Sequence, residues 1–256
     1  MFTRAIVCPP APTFAEGLTS VDLGAPDYEA ALAQHERYCA ALEEIGLRLI
    51  RLPADPRHPD STFVEDTAIL TERVAILTRP GAESRQGEVA AVRGALADCY
   101  AELHEIAALG AVDGGDVCEA DGQFFIGISA RTNEEGARQL AELLAQAGYA
   151  STLVDIRQVP GILHLKSGVA YLGEEWLAVI GSLADHPAFQ AYNQIRVTAA
   201  EEYAANCVRV NDHVLVAAGY PDLEATLRGL GRRVVALDMS EFRKMDGGLS
   251  CLSLRF

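Results

Sequence analysis

The sequence has no C-x-x-C pair, no zinc-finger spacing and no apolar run long enough to span a bilayer. Its six cysteines, Cys8, Cys39, Cys99, Cys118, Cys207 and Cys251, are scattered through 256 residues. That scatter excludes a small disulfide-stapled scaffold and fits free thiols in a reducing compartment. The first ten residues hold no signal-peptide hydrophobic segment, so the expectation is a soluble, cytoplasmic protein. Positive charge is short: 21 Lys and Arg stand against 36 Asp and Glu, a net charge of −15. Nucleic acid and membrane surfaces are therefore excluded as expected partners, and a cationic small molecule is favoured. Half of the residues are hydrophobic. Disorder is excluded on that ground, and residues 1–256 can form one domain with a large core.

What is present is a repeated unit. Val112–Glu119 and Gln123–Ser129 read as strands around an Asp121-Gly122 hairpin turn. Thr132-Asn-Glu-Glu135 then reads as a capping box opening a helix with an apolar stripe at Leu140, Leu143, Leu144 and Ala147. Gly148 ends the helix, and Thr152–Ile156 is a third strand. The same strand-strand-helix-strand order recurs from Phe63, from Leu163 and from Asn206. A fifth copy is split between the termini. Leu249–Phe256 supplies its first strand, Thr3–Cys8 its second, Asp27–Ile45 its helix and Arg48–Leu52 its last strand. The predicted fold is a pseudo-fivefold α/β propeller of five blades, closed by pairing of the N- and C-terminal strands. An ordinary open α/β sheet is the competing architecture, and it leaves the split copy unexplained.

The first strand of each unit carries a reactive group: Glu65-Asp66, Asp113, His164, Asn206 and Cys251, spaced by roughly 42 to 51 residues. Equivalent strands of a ring converge at its axis, so these groups are expected to share one site. A thiol, an imidazole and carboxylates together supply a nucleophile, an acid/base partner and an orienting acid. Each has an ordinary alternative. Cys251 can be a small buried hydrophobe, His164 a satisfied core residue, and Asp113 a turn former beside Gly114-Gly115.

The motifs Phe63-Val-Glu-Asp-Thr67, Asp113-Gly-Gly-Asp-Val117, Ile128-Ser-Ala-Arg-Thr-Asn133, His164-Leu-Lys-Ser167 and Asp246-Gly-Gly-Leu-Ser-Cys251 resemble those of dimethylarginine dimethylaminohydrolase. That family lies in the pentein, or guanidino-group-modifying, superfamily, and the resemblance spans nearly the whole chain. It implies a five-bladed α/β propeller and a hydrolase that converts Nω-methylated arginine to citrulline and dimethylamine or methylamine. The intermediate would be a covalent S-alkylthiouronium on Cys251. By the same resemblance His164 is the general acid/base and Asp113 orients it. Asp66 and Asp246 hold the guanidinium nitrogens with Glu65 in support, and Arg85 and Arg131 bind the α-carboxylate. Asp60 and the backbone carbonyl of Leu18 take the α-amino group, and Phe63 lines the slot. Residues 9–25, which contain Leu18, form a long loop of the kind that serves as a lid. No metal or organic cofactor is implied, and a homodimer is compatible. Met245 departs from the family pattern, where a β-branched residue is expected.

The residue types suit the chemistry. A planar guanidinium cation is bound bidentately by carboxylates, and a carboxylate by arginines. Other functions are a deiminase-like hydrolysis of arginine or another guanidine, a non-catalytic propeller that binds partners, and a zinc site at Cys251 and His164. The second predicts loss of the Cys or the His, and both are present.

Overall fold

Asp121 and Gly122 both take positive φ, 49° and 84°, the mirror-image turn that matches the twist of two flanking strands. Val117–Ala120 and Gln123–Ile128 accordingly pair antiparallel across it. The helix Glu134–Gln146 returns the chain so that Ala150–Asp155 lies parallel to the second strand. Its buried face is Ala137, Leu140 and Leu144, with Leu143 and Ala147 partly buried beside them. The cap differs from expectation. Asn133, not Thr132, is the N-cap, its side chain accepting from the Gly136 amide at 2.7 Å. The Thr132 hydroxyl is drawn away by the Asp113 amide at 3.1 Å.

A computed structural model describes residues 1–256, and the unit occurs in it five times. In each three-stranded sheet the first strand is antiparallel to the second, which is parallel to the third. The other internal blades are Ala68–Leu70, Ala75–Leu77 and Leu103–Glu105; Val169–Gly173, Trp176–Ile180 and Asn193–Val197; and Val208–Val210, His213–Ala217 and Arg233–Leu237. In the terminal blade Leu254–Arg255 pairs with Arg4–Val7, which pairs with Arg48–Arg51, as the split copy requires. The ring has no single core. Apolar clusters fill the wedges between neighbouring blades, and no sheet could bury its faces alone. No helix is long and apolar enough to cross a membrane.

The predicted first strands are too long. Each is preceded by a 3₁₀ turn that takes the residues nearest the axis: Val64–Thr67, Gly114–Asp116, Leu165–Ser167, Glu202–Ala205 and Ser250–Leu252. Cys251 is therefore in a turn, and only Leu254–Arg255 pairs as a strand. The backbone there bonds to side chains instead of to a neighbouring strand. The Gly115 amide donates to Asp66, Leu165 to Asp116 and Ser250 to Asn206. Five turns thus deliver polar groups to one end of the axis.

The terminal helix, Tyr28–Glu44, buries His35 with its Nε2 unpartnered. Burial pushes this imidazole down to about 4 from 6.5, so it is neutral in the folded chain. The unfolded chain takes up the proton first. The stability present above 6.5 is lost as pH falls through the window toward 4, by on the order of 3 kcal/mol. Urea unfolding as a function of pH, with His35→Met beside the unsubstituted protein, should show the unsubstituted protein losing stability relative to the variant as pH falls through that window.

Candidate active site

His164 stands at the N-terminal edge of its 3₁₀ turn, and its Nε2 lies 2.9 Å from Asp113 Oδ2. Asp113 is fully buried and is itself held by the Gly81 amide on Oδ1 at 2.8 Å. Asp66 accepts the Gly115 amide on Oδ1 at 2.8 Å and the Arg85 guanidinium on Oδ2 at 2.6 Å. The imidazole stacks close above Gly115, where a Cβ would come within 2.7 Å of His164 Nδ1 and 2.9 Å of Asp66 Oδ1. The residue must be glycine for these groups to approach. Cys251 follows Gly247-Gly248, and here the left-handed residue is Asp246, with φ 56°. The two glycines serve close approach. A Cβ on Gly247 would strike the Phe63 ring, and one on Gly248 would come within 2.5 Å of Asn206.

A narrow pocket brings together nine of the eleven expected site residues: Leu18, Asp60, Phe63, Asp66, Arg85, Arg131, His164, Asp246 and Cys251. Asp113 sits behind His164, out of the pocket. Glu65 is the correction. It lies on the far side of the turn, bonded to Lys166 and Ser250, and does not reach the pocket. Adjacent side chains point apart in this turn, as they would in a strand, so with Asp66 facing the pocket Glu65 faces away from it and is held by Lys166 and Ser250. Arg85 also differs in emphasis. Its guanidinium donates to Glu88, to Asp66 and to the carbonyls of Asp60 and Phe63, so it braces the pocket floor. Arg131 has no carboxylate paired to its guanidinium and faces the pocket. The loop of Leu18 is pinned over the pocket by two of the expected substrate ligands. Asp60 accepts from the Leu18 amide at 3.1 Å and Asp246 from the Ser20 amide at 2.5 Å. Phe63 packs with Phe14 and Phe242, which fixes the apolar wall.

Several supporting residues are not evident from composition or repeat alone. Glu88 anchors Arg85 from three residues away along one turn, a spacing that is visible in the sequence. Asp116 holds the Leu165 amide at 2.9 Å and the Ser129 hydroxyl at 2.6 Å, which fixes the His164 turn. Asn206, at the equivalent place in the fourth unit, binds the Ser250 amide and so acts as an anchor with no acid/base role.

Burial alone would strip the proton from His164, yet Asp66, the bond to Asp113 and the charge of Asp116 lift it to about 9. Burial would raise Asp66, but His164 and Arg85 outweigh it and hold the carboxylate at about 2. Burial pushes the Cys251 thiol up to about 12, and Glu65 and Asp66 add to the effect. At neutral pH the pocket thus holds a neutral thiol, an imidazolium and a carboxylate. Asp66, Asp113 and His164 present donor atoms within 4.8 Å of one another. Both oxygens of each carboxylate are already engaged by Arg85, His164 or backbone amides, so these donors make a hydrogen-bonded network.

A ring of five α/β blades whose axial turns carry a cysteine, an imidazole and carboxylates is a pentein, the class of guanidine-modifying enzymes. No family model matches the chain. It is 45% identical over 257 residues to the N(G),N(G)-dimethylarginine dimethylaminohydrolase of Pseudomonas aeruginosa, covering all of both chains. Crystal structures point the same way. The P. aeruginosa enzyme, as a cysteine-to-serine variant complexed with citrulline, superposes with a TM-score of 0.97 at 44% identity over the whole of both chains. The N-terminal domain of a cyanobacterial arginine dihydrolase shares the fold, with a TM-score of 0.86 at 18% identity, over 100% of this chain and 97% of that one. The chain belongs to the dimethylarginine dimethylaminohydrolase family and is a hydrolase of C–N bonds.

Proposed function

We propose that the chain hydrolyses asymmetric dimethylarginine and monomethylarginine to citrulline, releasing dimethylamine or methylamine, with Cys251 as nucleophile. The observation that carries this is the convergence of Cys251, the Asp113-oriented His164 and Asp66 in one pocket that also presents Arg131 and Asp60. The substrate guanidinium lies against Asp66 and Asp246, and its α-carboxylate meets Arg131 with Arg85 behind. The α-amino group takes Asp60 and the Leu18 carbonyl, and Phe63 bounds the alkyl stem.

The bound cation offsets the negative field of the carboxylates, so the Cys251 proton passes to solvent and the thiolate adds to the guanidinium carbon. His164, protonated at neutral pH, gives its proton to the departing dimethylamine as the C–N bond breaks. The S-alkylthiouronium that remains is attacked by water, whose proton His164 takes. The C–S bond breaks as the adduct's hydroxyl becomes the carbonyl of citrulline, and the proton it gives up restores the thiol. Every step uses side chains of the pocket, and turnover is expected to be unchanged by EDTA at millimolar concentration. A loss restored by zinc or another divalent ion would contradict this.

Within this proposal residues 1–256 act as one catalytic domain in the cytoplasm. The acidic surface takes no nucleic acid or membrane partner, and a homodimer is measurable by analytical ultracentrifugation. The deciding experiment is product analysis with asymmetric dimethylarginine, monomethylarginine, arginine and agmatine offered separately. Citrulline with dimethylamine from the first is the expected result. Citrulline with ammonia, mainly from arginine, would move the assignment to a deiminase.

A further inference from the structure

Three of the turns that carry pocket residues also send a side chain the other way, and these side chains meet behind the pocket. Glu65 precedes Asp66, Ser250 precedes Cys251, and Lys166 lies two residues beyond His164. Lys166 Nζ is 2.6 Å from Glu65 Oε1, and the Ser250 hydroxyl donates to Oε2 at 2.7 Å. Arg255 approaches Oε1 at 3.5 Å. Glu65 is 3% exposed. None of the four lines the substrate pocket, and all four line a second, much wider cavity. The cluster is the partition between the two.

The polar groups that bear on Cys251 come from several of the turns around it. Glu65 and Asp66 come from one and His164 and Lys166 from another, with Asp246 from its own segment. The Tyr203 hydroxyl faces it from the Glu202–Ala205 turn, and Arg85 and Arg131 lie across the pocket. Among the groups behind the thiol, Glu65 opposes its ionisation and Lys166 assists it. Without Lys166 the buried Glu65 carboxylate would keep only the more distant Arg255, at 3.5 Å, and its field on its neighbours would be less compensated.

We propose that Lys166 is a positioning residue for the reaction. By pairing with Glu65 behind the nucleophile, it ties the turns of Asp66, His164 and Cys251 together and keeps the Glu65 charge from opposing the thiolate. This rests on Cys251 being the nucleophile. Lys166 touches no substrate, so its contribution falls on the ionisation of the thiol and on kcat, and KM is nearly untouched.

The test uses the full chain with Lys166→Met, Lys166→Arg and the double variant Glu65→Gln/Lys166→Met. Two quantities are read for each: the pH midpoint of iodoacetamide labelling of Cys251, located by peptide mass, and the separate kcat and KM for dimethylarginine. For Lys166→Met the midpoint should rise by about one unit and kcat fall about tenfold, the factor one pKa unit is worth. Lys166→Arg should keep both near the unsubstituted values. The double variant, which removes both charges of the pair, should bring the midpoint back. Should Lys166→Met fail to fold, the double variant with Glu65→Gln alone as its reference carries the same comparison. An unshifted midpoint and kcat in Lys166→Met would overturn the proposal, as would Lys166→Arg behaving like Lys166→Met. A loss confined to KM would do so too. Turnover surviving in Cys251→Ser would instead sink the reading of the nucleophile, so the two failures are distinguishable.

Discussion

Serine in place of Cys251 is expected to abolish citrulline formation, with turnover lowered on the order of 10⁴-fold or more, as for other removed nucleophiles. A hydroxyl is far harder to ionise than a thiol, and the surrounding carboxylates make any anion there costlier. The folded structure should survive, because the side chain sits in a 3₁₀ turn whose backbone is held by other residues. The Ser250 amide donates to Asn206, and the Cys251 amide to the Gly248 carbonyl. The unsubstituted protein offers a second readout. Its thiol is pushed up to about 12 by burial and by Glu65 and Asp66. Iodoacetamide should therefore label free Cys251 slowly at neutral pH, with a rate still climbing well above the ordinary thiol pKa of about 8.5. A bound, unreactive guanidinium that leaves Sγ accessible should move that midpoint downward, since opposite charge favours the thiolate. Free-enzyme labelling with a midpoint well below 8.5 would contradict substrate-assisted ionisation. Turnover should also decline above about pH 9 as His164, raised to about 9 chiefly by Asp66 against its burial, loses the proton the leaving amine requires.

Asp66→Asn should cost both stability and function. The carboxylate is 4% exposed and pairs with a guanidinium that is 5% exposed. Removing one partner of such a pair leaves the other charge buried and uncompensated, at a cost of about 3–5 kcal/mol. Here Glu88 still binds Arg85 at 2.8 Å, so the lower end is expected. Three other changes follow from the same substitution. The substrate loses one of two carboxylates against its guanidinium, so KM rises. The imidazolium of His164 loses the largest charge supporting it, so the decline of turnover with pH moves to lower pH. The Cys251 thiol loses one opposing charge and labels more readily. Chemical denaturation, a pH–rate profile and iodoacetamide labelling of one variant measure all of these. A stable variant with an unchanged pH profile would show that Asp66 is not coupled to Arg85 and His164 as the distances require.

The repeat was legible because each copy obeys short-range rules. Asp121-Gly122 makes a hairpin whatever surrounds it, and the stripe of Leu140 and Leu144 makes an amphipathic helix. The closure of the ring was legible as well, since a lone strand at Thr3–Cys8 needs the partner that the C-terminal strand supplies. Strand lengths and the Thr132 cap were misread for one reason. Both errors lie where the chain meets the site, and there backbone groups bond to distant side chains such as Asp66, Asp116 and Asn206. Such partners are 44 to 49 residues away in sequence for the strand ends and 19 for Thr132, whose hydroxyl the Asp113 amide takes, and they leave no local mark.

By itself the sequence determined the strand-strand-helix-strand unit, its fivefold recurrence, the split terminal copy and the set of polar residues at equivalent positions. These follow from periodicity and turn chemistry, which act over a few residues. Only the tertiary structure decided which way each side chain points. It put Asp66 in the pocket and its neighbour Glu65 behind it, made Arg85 a brace and left Arg131 open, and gave Asn206 an anchoring role. It also set the protonation of the thiol and the imidazole. Charges act on one another through space according to distance and burial, and those are fixed only once the five blades have closed.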